Sequence, residues 1–410
     1  MDNCKTFLSN IDNFLYHVLE FLNVSMIYFY YRVGKEMEVV KKQRLSNFEL
    51  MRIISMFMIV IWHLITRSNI LDHCSETIYI ILKFIQYFTI VHVNSFVLVT
   101  GYFQYKSTFK INKVTSLLGQ SLFYRILFVV IFSLLGIVSL SQVDIIKNVF
   151  PLDVTNNYWF LNAYVVLLCL SPFLNKLIEN IDQRQHRRLI FIMILLFSII
   201  PNLSYQSNIK NDGFMVVHFI LLYFVGSYFA KYPIKNNIHF KNYSKNKKQV
   251  ILIAIFCFSY LFNFLLYNFC NYLISFDSPL IREVGYYFRS GCELYSGIMV
   301  LIQSFSYFLF FETLSIRNKL INSIASLTLG VYLIHENLLV REQLYKFLNL
   351  DVDYVITSTS VVGRIFIYAI LIFIICLLIE KIRVIIFKAV NKCKFIIKIK
   401  HKFHKFVIEF

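Results

Sequence analysis

Arg52 and His63 stand eleven residues apart in the apolar run Asn47-Phe-Glu-Leu-Met-Arg52-Ile-Ile-Ser-Met-Phe-Met-Ile-Val-Ile-Trp-His63. At about 100° per residue, eleven steps return to within about 20° of the start, so a helix would carry both on one face. A rise of about 1.5 Å per residue sets them roughly 16 Å apart along the axis. An ionisable group inside hydrocarbon is costly, and its presence there marks a functional candidate. Imidazole, with an ordinary pKa of about 6.5, can take a proton from a hydroxyl as a general base. Arg52 can bind phosphate or orient a carboxylate. The structural alternative is that Arg52 reaches to lipid phosphates while His63 bonds a neighbouring carbonyl. For either residue alone that alternative is favoured; the shared face brings the two readings level.

The elements that would position this pair are membrane helices. The 410-residue chain is 58% hydrophobic and only 16% charged, and apolar runs of spanning length recur along it, which excludes an ordinary soluble domain. Glycine (11) and proline (5) are scarce, favouring long helices, and the apolar blocks are continuous where a barrel would alternate. The expected fold is all-α and polytopic, with about ten transmembrane helices centred near residues 57, 90, 129, 168, 197, 222, 260, 300, 332 and 373. The net charge of +18 does not point to nucleic acid, because Lys and Arg concentrate in alternate connections. Only Arg67, Lys147, Lys210, Arg282, Arg341 and Lys346 fall in the other set. By the positive-inside rule both termini are expected in the cytoplasm. The eight cysteines form no CxxC pair and no metal-like spacing with histidine, so no disulfide framework or metal site is expected.

Residues 1–36 read as an amphipathic N-terminal extension, with a native start at Met37 as the alternative. The membrane domain is expected over 37–386 and a basic, amphipathic cytoplasmic tail on anionic lipid over 387–410. Ser46-Asn-Phe-Glu49 has the form of a capping box opening the first span. Pro172 should kink the fourth.

The run Glu49-Leu-Met-Arg52 to Trp62-His63 resembles the first helix of the acyltransferase-3 family of integral membrane acyltransferases. Further likenesses follow in the family's order. They are Asn94 to Gly101-Tyr102, then Tyr158-Trp159 through Asn162 and Tyr164 to Pro172 and Asn175, then Tyr223 to Gly226, and Leu329-Gly330-Val-Tyr332-Leu-Ile-His335. The likeness covers about residues 44–385. It implies a plasma-membrane O-acyltransferase that takes an acyl group, acetyl by preference, from cytoplasmic acyl-CoA. The acceptor it implies is a hydroxyl of an extracytoplasmic cell-envelope or exopolysaccharide sugar. The family's essential pair falls on Arg52 and His63. Its R-x-x-R pair is replaced here by Lys110-Ile-Asn-Lys113, which keeps the charge but loses the bidentate fork. No permanently bound cofactor is expected. Acetyl-CoA serves as donor substrate, and transfer is completed by this chain or handed to a separate extracytoplasmic protein.

The remaining polar residues carry double readings. Arg125 extends a cationic path for CoA or ties helices together. Arg289 and Glu293, at i and i+4, form a structural pair, or Glu293 orients His63. His335 touches the acceptor or, with Glu336, ends a helix in solvent. Tyr158, Trp159 and Asn162 form a sugar-facing lip or an interface belt. His92 and His218 read as satisfied core histidines, and Lys83 as snorkelling outward. The rival function is a transporter or flippase of polysaccharide or lipid-linked sugar, against which stand the lack of internal repeats and the few Gly/Pro breaks. A third reading, an acyl-group exporter, dispenses with base chemistry at His63.

Overall fold

The structure, a computed structural model, describes residues 44–137, 158–202, 213–233, 242–350 and 360–392. Among these residues every regular element is a helix. Helix α1 spans Ser46–Arg67, α2 Glu76–Thr89, α3 His92–Gln104, α4 Ile111–Leu134 and α5 Trp159–Asn180. α6 (Gln183–Ile194) runs into a π-turn at Leu195–Ile199. There follow α7 Val216–Lys231, α8 Lys245–Ile274, α9 Pro279–Cys292 and α10 Ile298–Thr313. α11 Lys319–Ala325, α12 Thr328–His335, α13 Leu338–Leu348 and α14 Ser360–Lys392 complete the order.

Six of these units are long and apolar enough to cross a bilayer: α1, α2 with α3, α4, α5, α8 and α14. A seventh arises if Lys319–His335 and Leu338–Leu348, bent by 79° to each other, count as one span. The expected centres near 197, 222 and 300 account for the difference from ten. α7 and α10 are apolar but have 16 residues each, about 24 Å against a hydrocarbon core of about 30 Å. α6 begins with the polar run Gln183-Arg-Gln-His-Arg-Arg188. The segment expected at 1–36 lies outside the described residues, as does the expected 387–410 tail beyond 392, while residues 387–392 continue α14.

α1 sits between two apolar clusters and contributes to both. Phe48, Met51 and Met58 join one with Val97, Leu221 and Phe308. Ile61, Leu64 and Ile65 join the other with Tyr124, Val331 and Ile365. Its first turns are held by other helices. Ser46 makes no capping box; its Oγ accepts from the Asn318 N–H at 2.9 Å, tying α1 to the start of α11. Asn47 donates to the Phe311 carbonyl of α10 at 2.8 Å. Glu49 is thereby left for arginines, with Arg52 at 3.4 Å and Arg44 at 3.9 Å. Pro172 is accommodated inside α5, which continues through it.

α3 and α7 cross with their backbones in contact. A Cβ on Gly101 would overlap the Tyr223 carbonyl oxygen, and one on Gly226 would overlap that of Leu98. Small residues allow this approach in membranes, where packing rather than the hydrophobic effect joins helices.

Candidate active site

One cavity of about 500 Å³ follows α1 along its length. Arg44 and Arg52 line it at one end, Met56, Ile59 and His63 along its course, and Thr66 and Arg67 at the other end. Helical periodicity explains the set, since positions 52, 56, 59, 63 and 66 step by three or four and share one face. The opposite face of α1 packs into the two clusters, so its polar stripe cannot turn away from the cavity. Phe96 and Thr100 of α3, Tyr164 of α5 and Leu329 and Tyr332 of α12 complete the middle of the wall.

His63 is held by a chain of hydrogen bonds whose direction can be worked out. The Val331 carbonyl can only accept, so His335 Nδ1, 2.6 Å away, carries a proton and donates to it. In the neutral ring His335 Nε2 is then an acceptor. It faces His63 Nδ1 at 3.0 Å, so His63 donates from Nδ1. The remaining nitrogen of His63, Nε2, keeps its lone pair. That tautomer is the one a general base needs.

A carboxylate stands beside this chain. Glu336 Oε1 lies 3.2 Å from His63 Nδ1, close enough to stabilise a positive imidazolium, although it makes no aligned hydrogen bond. Its other oxygen, Oε2, faces Arg67 and Arg341, each at 3.5 Å. His335 and Glu336 are buried to 1% and 2% exposure. The 79° bend between α12 and α13 turns the helix end inward, and Asn337 caps the new helix through the Leu339 N–H. The expected solvated end is therefore an interior one.

The donors of His63, His335 and Glu336 lie within 4.8 Å of one another, a spacing that could hold a cation. Charge and distance argue for a proton network instead. Two guanidiniums already share Glu336, and the 3.0 Å between imidazole nitrogens is a hydrogen-bond length. Two nitrogens on one tetrahedral zinc, with bonds of about 2.0–2.1 Å, would stand roughly 3.3 Å apart.

Toward the Arg67 end the cavity wall is aromatic. Trp62, Trp159, Phe214 and Tyr295 line it. Trp159 stacks on Tyr295 at 6.1 Å between centroids and meets Phe214 edge-on at 4.5 Å. Tyr295 is anchored from behind. Its hydroxyl donates to His92 Nε2 at 3.2 Å, and its carbonyl accepts from Asn94, which also accepts from His218 Nε2. His92 and His218 are buried and hydrogen-bonded as read from sequence, though His92 also reaches the cavity wall.

A family model described as an acyltransferase domain matches residues 45–381, nearly the whole chain. The chain belongs to the acyltransferase-3 family. It is a membrane acyltransferase. No curated protein and no solved structure matches it.

The acyltransferase brings Arg52, His63, Trp159 and Glu293 to one cavity and sets His335 directly behind His63. It does not bring Tyr158, Asn162, Lys110, Lys113 or Arg125 to that wall. Tyr158 is buried, donating to the Leu333 carbonyl at 2.6 Å. Arg125 is buried with its guanidinium 4.8 Å from the Tyr158 ring, a cation–π contact between helices. Lys113 donates to Gln104 at 2.7 Å. Glu293 pairs with Lys83 at 2.7 Å and not with Arg289, because α9 ends at Cys292 and the i, i+4 geometry is lost. Lys83 accordingly points inward, and Arg289 donates to Asn271.

Arg44, Arg67, Glu336 and Tyr295 were not singled out from sequence as site residues. Arg67 had a readable signal, since it stands one turn beyond His63 on the same face. Glu336 had none, because the bend that buries it carries no glycine or proline.

Glu336→Gln preserves shape and removes the charge behind His63. The His335 contact still holds the tautomer, so only imidazolium stabilisation is lost. Opposite charges about 4 Å apart attract by about 4 kcal/mol near a protein surface, and Arg67 and Arg341 offset part of this, so kcat is expected to fall roughly 10–100-fold. Steady-state kinetics on the variant, with acyl-CoA binding measured alongside, checks this; unchanged kcat would remove Glu336 from the chemistry.

Proposed function

We propose that this acyltransferase moves an acyl group, acetyl by preference, from cytoplasmic acyl-CoA to a hydroxyl of an extracytoplasmic sugar of the cell envelope or an exopolysaccharide. The observation that carries the reading is a continuous cavity with His63 along it, cationic at one end and aromatic toward the other. Drawn out over a helix of roughly 33 Å, that volume is narrow and fits an extended thioester arm rather than a folded nucleotide. The CoA phosphates would stay at the mouth with Arg44 and Arg52. The residual positive charge there favours them, since Glu49 neutralises only one of the two guanidiniums. Trp159 and Tyr295 offer faces for a sugar ring.

In the proposed reaction His63 Nε2 takes the proton of the acceptor hydroxyl as its oxygen attacks the thioester carbonyl. The new C–O bond forms, the C–S bond breaks, and the imidazolium returns its proton to the departing CoA sulfur. Glu336 stabilises the imidazolium between those steps, while Arg67 and Arg341 restrain the carboxylate. An acyl-His63 route would use the same lone pair.

The test is release of free CoA from acetyl-CoA by the purified protein in nanodiscs, with and without a cell-envelope glycan extract. Glycan-dependent release supports the reading; acetyl-CoA neither bound nor turned over by folded protein would sink it. Exhaustive treatment with a chelator such as phenanthroline should leave the rate unchanged. Loss of activity restored by added zinc would reassign His63, His335 and Glu336 to a metal.

A further inference from the structure

A second cavity, of about 400 Å³, opens at the Arg67 end of α1. We infer that it binds an oxyanion carried by the acceptor, a phosphate or carboxylate on the sugar that receives the acyl group. The inference rests on the acyl-transfer reading above and names the class of acceptor.

Three cations line this cavity: Arg67, Arg341 and Lys346. Glu342 is the one acid among its lining residues. Glu336, behind the wall, adds a single charge shared by both arginines through one oxygen at 3.5 Å. Those contacts are longer than a well-formed N–H···O bond of about 2.7–3.2 Å, so guanidinium donors remain for a ligand. Tyr345, Asn69 and Asn349 add neutral donors. The two asparagines adopt left-handed backbone (φ 56° and 44°), closing the turns that follow α1 and α13 around the cavity.

Placement strengthens the case. Arg67 comes from the end of α1, and Arg341 and Lys346 come from α13, so elements far apart in the chain bring three cations to one cavity. Like charges brought this close repel unless an anion offsets them. Arg67 lines both cavities. It follows His63 by four residues, about 6 Å along the axis. An anion on Arg67 and Arg341 would thus hold a neighbouring hydroxyl, about one sugar ring away, within reach of His63.

The experiment measures equilibrium binding of glucose 6-phosphate, glucuronate and glucose to the full-length protein in zwitterionic nanodiscs by calorimetry. The charged sugars are expected to bind well above glucose. Lys346→Gln should weaken them several-fold, and Arg341→Gln with Lys346→Gln by more than about tenfold. Glu342→Gln should tighten them, an opposite sign that a misfolded variant cannot produce. His63→Ala should leave binding intact. A preference for glucose 6-phosphate over glucuronate assigns phosphate, and the reverse assigns carboxylate. Equal binding of glucose, or indifference to the Lys346 and Arg341 changes, overturns the inference. Loss of binding in anionic nanodiscs also overturns it, assigning the cavity to lipid headgroups. Because binding needs no turnover, anion binding by a protein that neither binds nor turns over acetyl-CoA would keep the cavity as an anion site and reject the transfer reading.

Discussion

His63→Ala is expected to cut CoA release from acetyl-CoA by roughly 10²–10⁴-fold, the usual contribution of a positioned general base. Binding of acetyl-CoA should survive, because the cationic mouth at Arg44 and Arg52 is untouched and lies several turns away. Folding should survive as well. The imidazole borders the cavity and is 13% exposed, so truncation opens space to an existing void and creates no sealed one. The partner left behind, His335 Nε2, can then be reached by water. A thermal melt close to wild type, with binding retained and turnover lost, separates a chemical role from a structural one. Turnover within about threefold of wild type would exclude His63 as the base, since even the weakest base contribution is about 100-fold.

The second large effect concerns folding. Gly226→Ala is expected to destabilise the protein by about 3 kcal/mol, the upper end for an overpacked core. The added methyl would meet the Leu98 carbonyl and the Tyr102 amide, which are backbone atoms and cannot rotate aside. α3 and α7 would have to separate. That movement would disturb Asn94, His218 and, through them, the backbone of Tyr295 on the cavity wall. Gly363→Ala on α14 is the contrast, with nothing within 4 Å of the new methyl. There helix propensity should make the change neutral or stabilising by up to about 1 kcal/mol. Melting both variants in the same detergent checks the pair, and equal melts would mean that α3 and α7 do not pack as described.

What was legible in the sequence followed from periodicity. Arg52 and His63 share one face because a helix repeats, and no tertiary information was needed to say so, whereas the cavity along that face is set by the neighbouring helices. The all-helical membrane class followed equally from composition. What was hidden depended on where helices stop. The likeness of residues 46–49 to a capping box is real in sequence, yet Asn318, distant in the chain, took the Ser46 hydroxyl. Arg289 and Glu293 are spaced to pair, yet α9 ends between them and Lys83 takes the acid. Glu336 reads as a solvated helix end until the 79° bend folds it inside. Tyr158 and Trp159 are adjacent and chemically alike. Helical rotation of about 100° sends one into the protein and the other to the cavity, and which goes where is decided by neighbours.

The position of His63 within one cavity has an electrical consequence. In the proposed exchange the acyl group leaves the thioester as a formal cation moving one way, and the hydroxyl proton travels the other way to the CoA sulfur. The proton passes through the imidazole and the acyl group passes directly from sulfur to oxygen beside it, so each turnover transports no net charge. Moving one elementary charge through a 100 mV potential is worth about 2.3 kcal/mol, and a cycle of this kind neither gains nor loses that energy. An energised and a depolarised membrane would present this enzyme with the same driving force, set by the thioester alone.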